Sequence, residues 1–188
     1  MHDLFEPNIG STNYFRLEMV NGTTRYQART QDAGVLAIGS AVGSGAEMLC
    51  SNTTASVALP FEMNGELSLV NSTLTLERPA DIKGKITINN STLEILQAAQ
   101  LTGEVVVDLS NLPADGIVIK GNNLLSLYAP SLRFIGEPPE EAKRFTIMTG
   151  LNGTFANISG LPTNYSAVQR DDEIIINWSL PRTIFLVK

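Results

Sequence analysis

One cysteine, one histidine and one tryptophan stand among 188 residues, and these shortages remove whole classes of chemistry. Cys50, alone, cannot close an intramolecular disulfide, and no Cys/His cluster of zinc spacing exists. A Ser/His/Asp or Cys/His arrangement would have to borrow His2 at the very terminus, so no catalytic residue is expected from those types. Basic residues are also few: 13 Lys and Arg against 19 Asp and Glu leave a net charge of −6. They form no cluster that could replace phosphate counterions or settle on anionic lipid, which argues against nucleic acid and membrane surfaces as partners. Long apolar runs are missing as well. The most membrane-like stretch, residues 33–46, is broken by Gly and Ser and falls short of the roughly 18 apolar residues of a spanning segment. Met1-His2-Asp3 is no basic n-region, so no signal peptide is expected there.

What is present is apolar content of 43% with only 17% charged residues, which is enough to pack a core. Asn, Ser, Thr and Gly are abundant, a composition suited to short strands and tight turns rather than helices. The decisive signal is an internal repeat of 19 residues. Gly65, Gly84 and Gly103 share that spacing, and rows of that length align four apolar columns. These read Met48/Leu67/Ile86/Val105, Cys50/Leu69/Ile88/Val107, Ala55/Leu74/Leu93/Leu112 and Val57/Leu76/Ile95/Ala114. Between them Asn52-Thr53-Thr54, Asn71-Ser72-Thr73 and Asn90-Ser91-Thr92 occupy one register, decaying to Leu109-Ser110-Asn111 in the fourth row.

Each row thus holds two short alternating runs with apolar side chains on one face. One row cannot bury that face; rows stacked about 4.8 Å apart can, while pairing every backbone group with the neighbouring rows. The expected fold is all-β: a right-handed parallel β-solenoid of about 19 residues per coil, closed by antiparallel strands at the C-terminus. Asn52, Asn71 and Asn90, with Thr54, Thr73 and Thr92, would form a polar ladder at a turn, where Asn tolerates left-handed dihedrals. The glycine column is read as a second corner of positive φ. The column after it, Glu47/Glu66/Lys85/Glu104, places Lys85 between two glutamates.

Three regions follow. Residues 1–45 fit the repeat poorly and read as a hairpin or cap, with Asn21-Gly22 as its type I′ turn signal. Residues 46–132 are the coils. Residues 133–188 begin with an acidic Pro-rich loop, Glu137 to Glu141, and continue as strands around Phe145–Met148, Gly153–Phe155, Tyr165–Val168 and Glu173–Trp178, read as antiparallel. The last segment, Thr183-Ile184-Phe185-Leu186-Val187-Lys188, is a short β-prone run that either pairs with the chain's own sheet or adds to a neighbour's edge and builds a filament.

Across residues 46–178, the coils followed by an apolar strand, a Gly-x-Phe element, a Tyr-containing strand and a final apolar strand resemble the C-terminal part of bacterial autotransporter passenger domains. That resemblance implies a right-handed β-helix of the adhesin type. The departure from the pattern is that no membrane β-barrel follows.

Right-handed β-helices that cleave polysaccharides do so with carboxylates on an outer face. Glu47, Glu66 and Glu104, or Glu94 with Asp115, are the candidates here, but Lys85 interrupts the first set, and solvated faces account for all five. Asp171-Asp172-Glu173 reads as a charged hairpin tip rather than a calcium site. Nine Asn-x-Ser/Thr sequons begin at Asn21, Asn52, Asn71, Asn89, Asn90, Asn152, Asn157, Asn164 and Asn177. The turn ladder explains Asn52, Asn71 and Asn90, and of the others Asn21, Asn152, Asn157, Asn164 and Asn177 are the glycosylation candidates. The function expected is that of an extracellular structural or adhesive surface protein, an appendage, fibre or coat subunit without enzymatic activity or cofactor. Its expected partners are other copies, through the C-terminal strand or the solenoid ends, and host or matrix glycans. The alternative is a carbohydrate-binding or carbohydrate-cleaving β-helix.

Overall fold

A computed structural model describes residues 16–26, 35–39, 45–138 and 144–178. The described residues form strands and turns without helix, arranged as a parallel β-solenoid of about five turns, on average about 22 residues apart. The chain traces a triangle. Its first face stacks β2 (Leu36–Ile38), β4 (Phe61–Met63), β7 (Ala80–Ile82) and β10 (Ala99–Leu101). Its second stacks the first halves of β1 (Arg16–Tyr26) and β3 (Glu47–Val57) on β5 (Glu66–Val70), β8 (Lys85–Asn89), β11 (Glu104–Asp108), β13 (Ser131–Ile135) and β15 (Asn157–Ser159). The third takes the second halves of β1 and β3, then β6 (Thr73–Leu76), β9 (Thr92–Ile95) and the starts of β12 (Ile119–Tyr128) and β14 (Arg144–Thr154).

The alternation read from the sequence sets which side chains go in. Met48, Leu67, Ile86, Val105 and Leu132 lie over one another fully buried, as do Cys50, Leu69, Ile88, Val107 and Phe134. No single coil could hide these side chains; each is covered by its equivalents above and below.

The repeat is strict only in the middle. Equivalent residues are 19 apart from β3 to β11, as between Ser72 and Ser91. The spacing is 31 between Gly22 and Thr53, 25 between Gly39 and Asn64, and 27 between Ser110 and Glu137. The fourth row departs from the sequence reading. Ile119, not Leu112, stacks on Leu93, while Leu112 is half-buried and Ala114 exposed. The Asn column ends at Leu109, whose branched side chain is strained in the left-handed conformation that Asn52, Asn71 and Asn90 adopt at φ 51, 48 and 44. Leu109 is buried instead, and the chain loops through residues 110–118 before regaining the third face.

Two further readings are corrected. Asn21-Gly22 is not a hairpin turn: β1 runs parallel to β3 across it, with Gly22 opposite Thr53. The same left-handed signal serves a solenoid corner as well as a type I′ turn, and here Met19 matches Cys50 in the apolar column. Nor do Gly65, Gly84 and Gly103 have positive φ. A Cβ at Gly84 would overlap the carbonyl oxygen of Gly65, and one at Gly103 that of Gly84, so this corner needs glycine because successive coils touch backbone to backbone.

Beyond residue 132 the expected antiparallel strands are present, and parallel stacking continues beside them. β14 is parallel to β12 and β15 to β13. The antiparallel part is β16 (Tyr165–Arg170) with β17 (Glu173–Trp178), joined at Asp171-Asp172, and β17 docks antiparallel on β14. Ile174 and Ile176, fully buried, close the apolar end of the stack with Tyr165 and Ala167 packed beside them. A solenoid requires such a cover, since a bare last coil would expose both its apolar row and an unpaired edge.

Candidate functional site

The corner between the second and third faces carries the most organised polar chemistry of the described residues. Asn52, Asn71 and Asn90 turn the chain there and point outward, exposed. Asn71 Nδ2 donates to Asn52 Oδ1 at 3.2 Å, and Asn90 Nδ2 donates to Asn71 Oδ1 at 2.9 Å. Asn21, at φ 57 and one position before Gly22, occupies the same corner one coil earlier. Asp108, one position before Leu109, gathers the neighbouring donors: its carboxylate accepts from Asn89 Nδ2 at 2.9 Å, from Asn111 Nδ2 at 3.2 Å and from the Ser110 backbone N–H at 2.9 Å.

Behind this ladder runs a second one that the sequence reading did not single out. Thr53, Ser72 and Ser91 point inward and are buried. The Thr53 N–H donates to Ser72 Oγ at 3.1 Å and the Ser72 N–H to Ser91 Oγ at 2.9 Å. Their hydroxyls donate in turn to backbone carbonyls, Thr53 to Gly22, Ser72 to Val70 and Ser91 to Asn89. A corner interrupts the regular strand bonds, so these hydroxyls satisfy groups that burial would otherwise leave costly. Period two contained the signal: the residue between an outward Asn and an outward Thr must face in.

Thr54, Thr73 and Thr92 stack on the far side of the corner. Between the Asn row and the Thr row lies a shallow groove of about 290 Å³ running across the coils and ending against Pro113. Its lining is Asn, Ser, Thr and Pro, with no charged side chain. Thr92 is buried under the following loop and donates to the Ile117 carbonyl at 3.0 Å. The hydroxyls of Thr54, exposed, and Thr73, half-buried, have no hydrogen-bond partner among the described residues.

The carboxylate candidates fall into two neighbourhoods: Glu47 is the register partner of Glu66 on the adjacent coil, and Glu94 that of Lys120, which also pairs with Asp115. Glu66 accepts from Lys85 at 2.7 Å and from Thr87 at 3.2 Å, while Glu104 is held by Arg133 of the next coil at 2.9 Å. Of the two glutamates flanking Lys85 in its column, Glu66 is served by Lys85 and Glu104 by Arg133; both pairs are exposed and each is worth only ~0–1 kcal/mol. Glu94 accepts from Thr75 at 3.5 Å. Lys120, 2.9 Å from Asp115, holds that carboxyl below its ordinary range. Among the described residues no group of three or more His, Cys, Asp or Glu is placed to hold a metal ion. Cys50 is fully buried, and burial pushes its thiol up to about 12.

Of the sequons outside the ladder, Asn21, Asn152 and Asn157 are exposed, Asn164 is exposed but engaged in an interaction, and Asn177 is half-buried. Asn89 is tied to Asp108. Tyr128 is exposed, at a different corner from the groove. His2, residues 139–141 of the acidic loop and the run Thr183, Ile184, Phe185, Leu186, Val187 lie outside the described residues. No helix among the described residues is long and apolar enough to cross a membrane. Set against known protein families, curated proteins and solved structures, the chain matches none of them.

Proposed function

We propose that the chain is an extracellular structural and adhesive surface protein, a short rigid rod that presents polar outer faces to a partner and has no catalytic role. The observation that carries this reading is the uninterrupted parallel stacking from β1 to β15, in which every level is locked by backbone bonds to the next. Such a stack resists local opening because no strand can leave without stripping two neighbours. The state of the carboxylates supports a non-catalytic role, since Glu66, Glu104 and Asp115 are each held by a cation and none of the five candidates is buried. The capping hairpin β16–β17 supports the finer likeness to right-handed autotransporter passengers, whose coils end in strands of this order. On the same reading, the exposed Asn21, Asn152 and Asn157 are the first glycosylation positions, ahead of Asn164 and Asn177.

The test is negative-stain microscopy with light scattering on the full chain and on a form lacking Thr183 to Lys188. Filaments that vanish with the tail make the chain an assembly subunit. A monomer in both forms removes assembly and leaves presentation to a surface. The groove beside the Asn ladder favours a second reading, a carbohydrate-binding or carbohydrate-cleaving β-helix; release of reducing ends from a neutral polysaccharide would select the cleaving form and end the non-catalytic one.

A further inference from the structure

We infer that the groove between the Asn and Thr rows is a binding site for an extended, uncharged glycan lying along the solenoid axis, about one sugar ring to each coil. The inference rests on the adhesive reading and names its ligand class.

Three features of the groove select the ligand. The lining is wholly neutral, so neither an acidic polysaccharide nor a basic peptide finds a counter-charge in it. Its polar groups recur with the coils, one Asn and one Thr at each step of about 4.8 Å. That interval is close to the length of one ring in an extended glycan, whereas a peptide strand advances roughly 3.3 Å per residue and drifts out of step with it. The volume, about 290 Å³, lies at the lower limit of the roughly 300–1,000 Å³ that engulf a whole small molecule. A shallow site of that size grips one side of a polymer that runs on past the end away from Pro113.

The hydrogen bonds follow the same division. The Asn amides are joined to one another and keep the wall fixed. The Thr53, Ser72 and Ser91 hydroxyls are committed to the backbone. Thr54 and Thr73, one coil apart, hold the hydroxyls left over, each able to donate to and accept from a sugar hydroxyl. Pro113 closes one end and sets the register of the chain against the coils. Without an aromatic platform, binding of one short chain is weak, and avidity comes from several copies on one surface.

The experiment is affinity electrophoresis of the full chain through gels containing hydroxyethyl cellulose, a neutral β-linked glucan, or polygalacturonate, a charged one, beside an array of neutral linear glycans. The comparison protein carries Thr54→Val and Thr73→Val, which keep shape and β-propensity and remove only the free hydroxyls. Circular dichroism and melting of the variant check that it folds as the parent does. Retardation by hydroxyethyl cellulose or binding to a neutral array member, weakened at least tenfold in the double variant and absent with polygalacturonate, is the expected result. Binding that the variant retains in full, binding to polygalacturonate alone, or no binding to any neutral glycan overturns the site. If the parent chain still coats cells or forms filaments when the glycan result is negative, the adhesive reading survives and only the groove assignment falls.

Discussion

Coils from β3 to β11 and the coils after Asp108 use the same strands, the same inward aliphatics and the same parallel pairing, yet only the first set keeps a constant length. The difference lies at a corner. Where Asn sits at the turn, the chain rounds the corner in a single left-handed residue and the next strand starts at once. Where Leu109 replaces it, the chain needs residues 110–118 to reach the same face, and Ile119 resumes the stack on Leu93. Strand pairing therefore tolerates insertions, provided they leave at a corner. An Asn corner permits the short coil without imposing it, since Asn21 makes the same corner in a coil of 31 residues.

The sharpest way to break this comparison is at glycine. Gly84→Ala is expected to cost about 4–5 kcal/mol or prevent folding, because its methyl would meet the backbone of the coil beneath with nothing able to yield. Gly116→Ala, in the loop that replaces the Asn corner, has φ +75 but only the Thr146 carbonyl oxygen nearby at 3.6 Å, and is expected to cost about 1–2 kcal/mol. Urea melts of both variants check the contrast, and equal losses would mean that the central coils are no tighter than the terminal ones.

Alkaline pH probes the central stack through Cys50. Its folded-state pKa is raised from 9.0 to about 12, so the unfolded chain loses the thiol proton first. The contribution is intact below about pH 9 and is lost as pH rises towards 12, on the order of 4 kcal/mol in full. Cys50→Val, which keeps the column apolar, should flatten that part of the stability profile; an unchanged slope would assign the alkaline loss to other groups.

A smaller effect is expected from the inward hydroxyls. Ser72→Ala leaves the Thr53 N–H buried without an acceptor and should cost about 2 kcal/mol, whereas Ser126→Ala in the irregular coils should stay within about 0.5 kcal/mol. Chemical denaturation of the pair decides whether the second ladder stabilises the corner.

The sequence made the central fold legible because stacked coils convert spatial neighbours into a fixed spacing: Leu67 over Met48, and Asn71 over Asn52, can be read from rows of 19. It misled where one signal has two uses. Asn21-Gly22 carries the left-handed dihedrals of a hairpin, and only pairing across 31 residues shows it to be a coil corner. The glycine column looked like a φ requirement and is a contact requirement, which depends on how closely two backbones pass. The parallel pairing of β14 with β12, beside its antiparallel pairing with β17, was hidden because alternation is the same in both kinds of strand. At the site, the Asn and Thr rows were visible as a repeat, while Pro113 came to the groove through an insertion that breaks it.

The corner described above gives the molecule a unit of length. Residues 66–84 begin and end at equivalent points of the repeat, and strands at both ends meet the same kind of neighbour. A second copy inserted in tandem would meet the partners that the first already has, so the rod would lengthen by one level of about 4.8 Å without any new interface having to be invented. Growth of this kind leaves the β16–β17 cover untouched and adds one Asn and one Thr to the groove. The solenoid is in this sense a ruler whose divisions are genetic, and the span of polymer it can measure changes by whole coils.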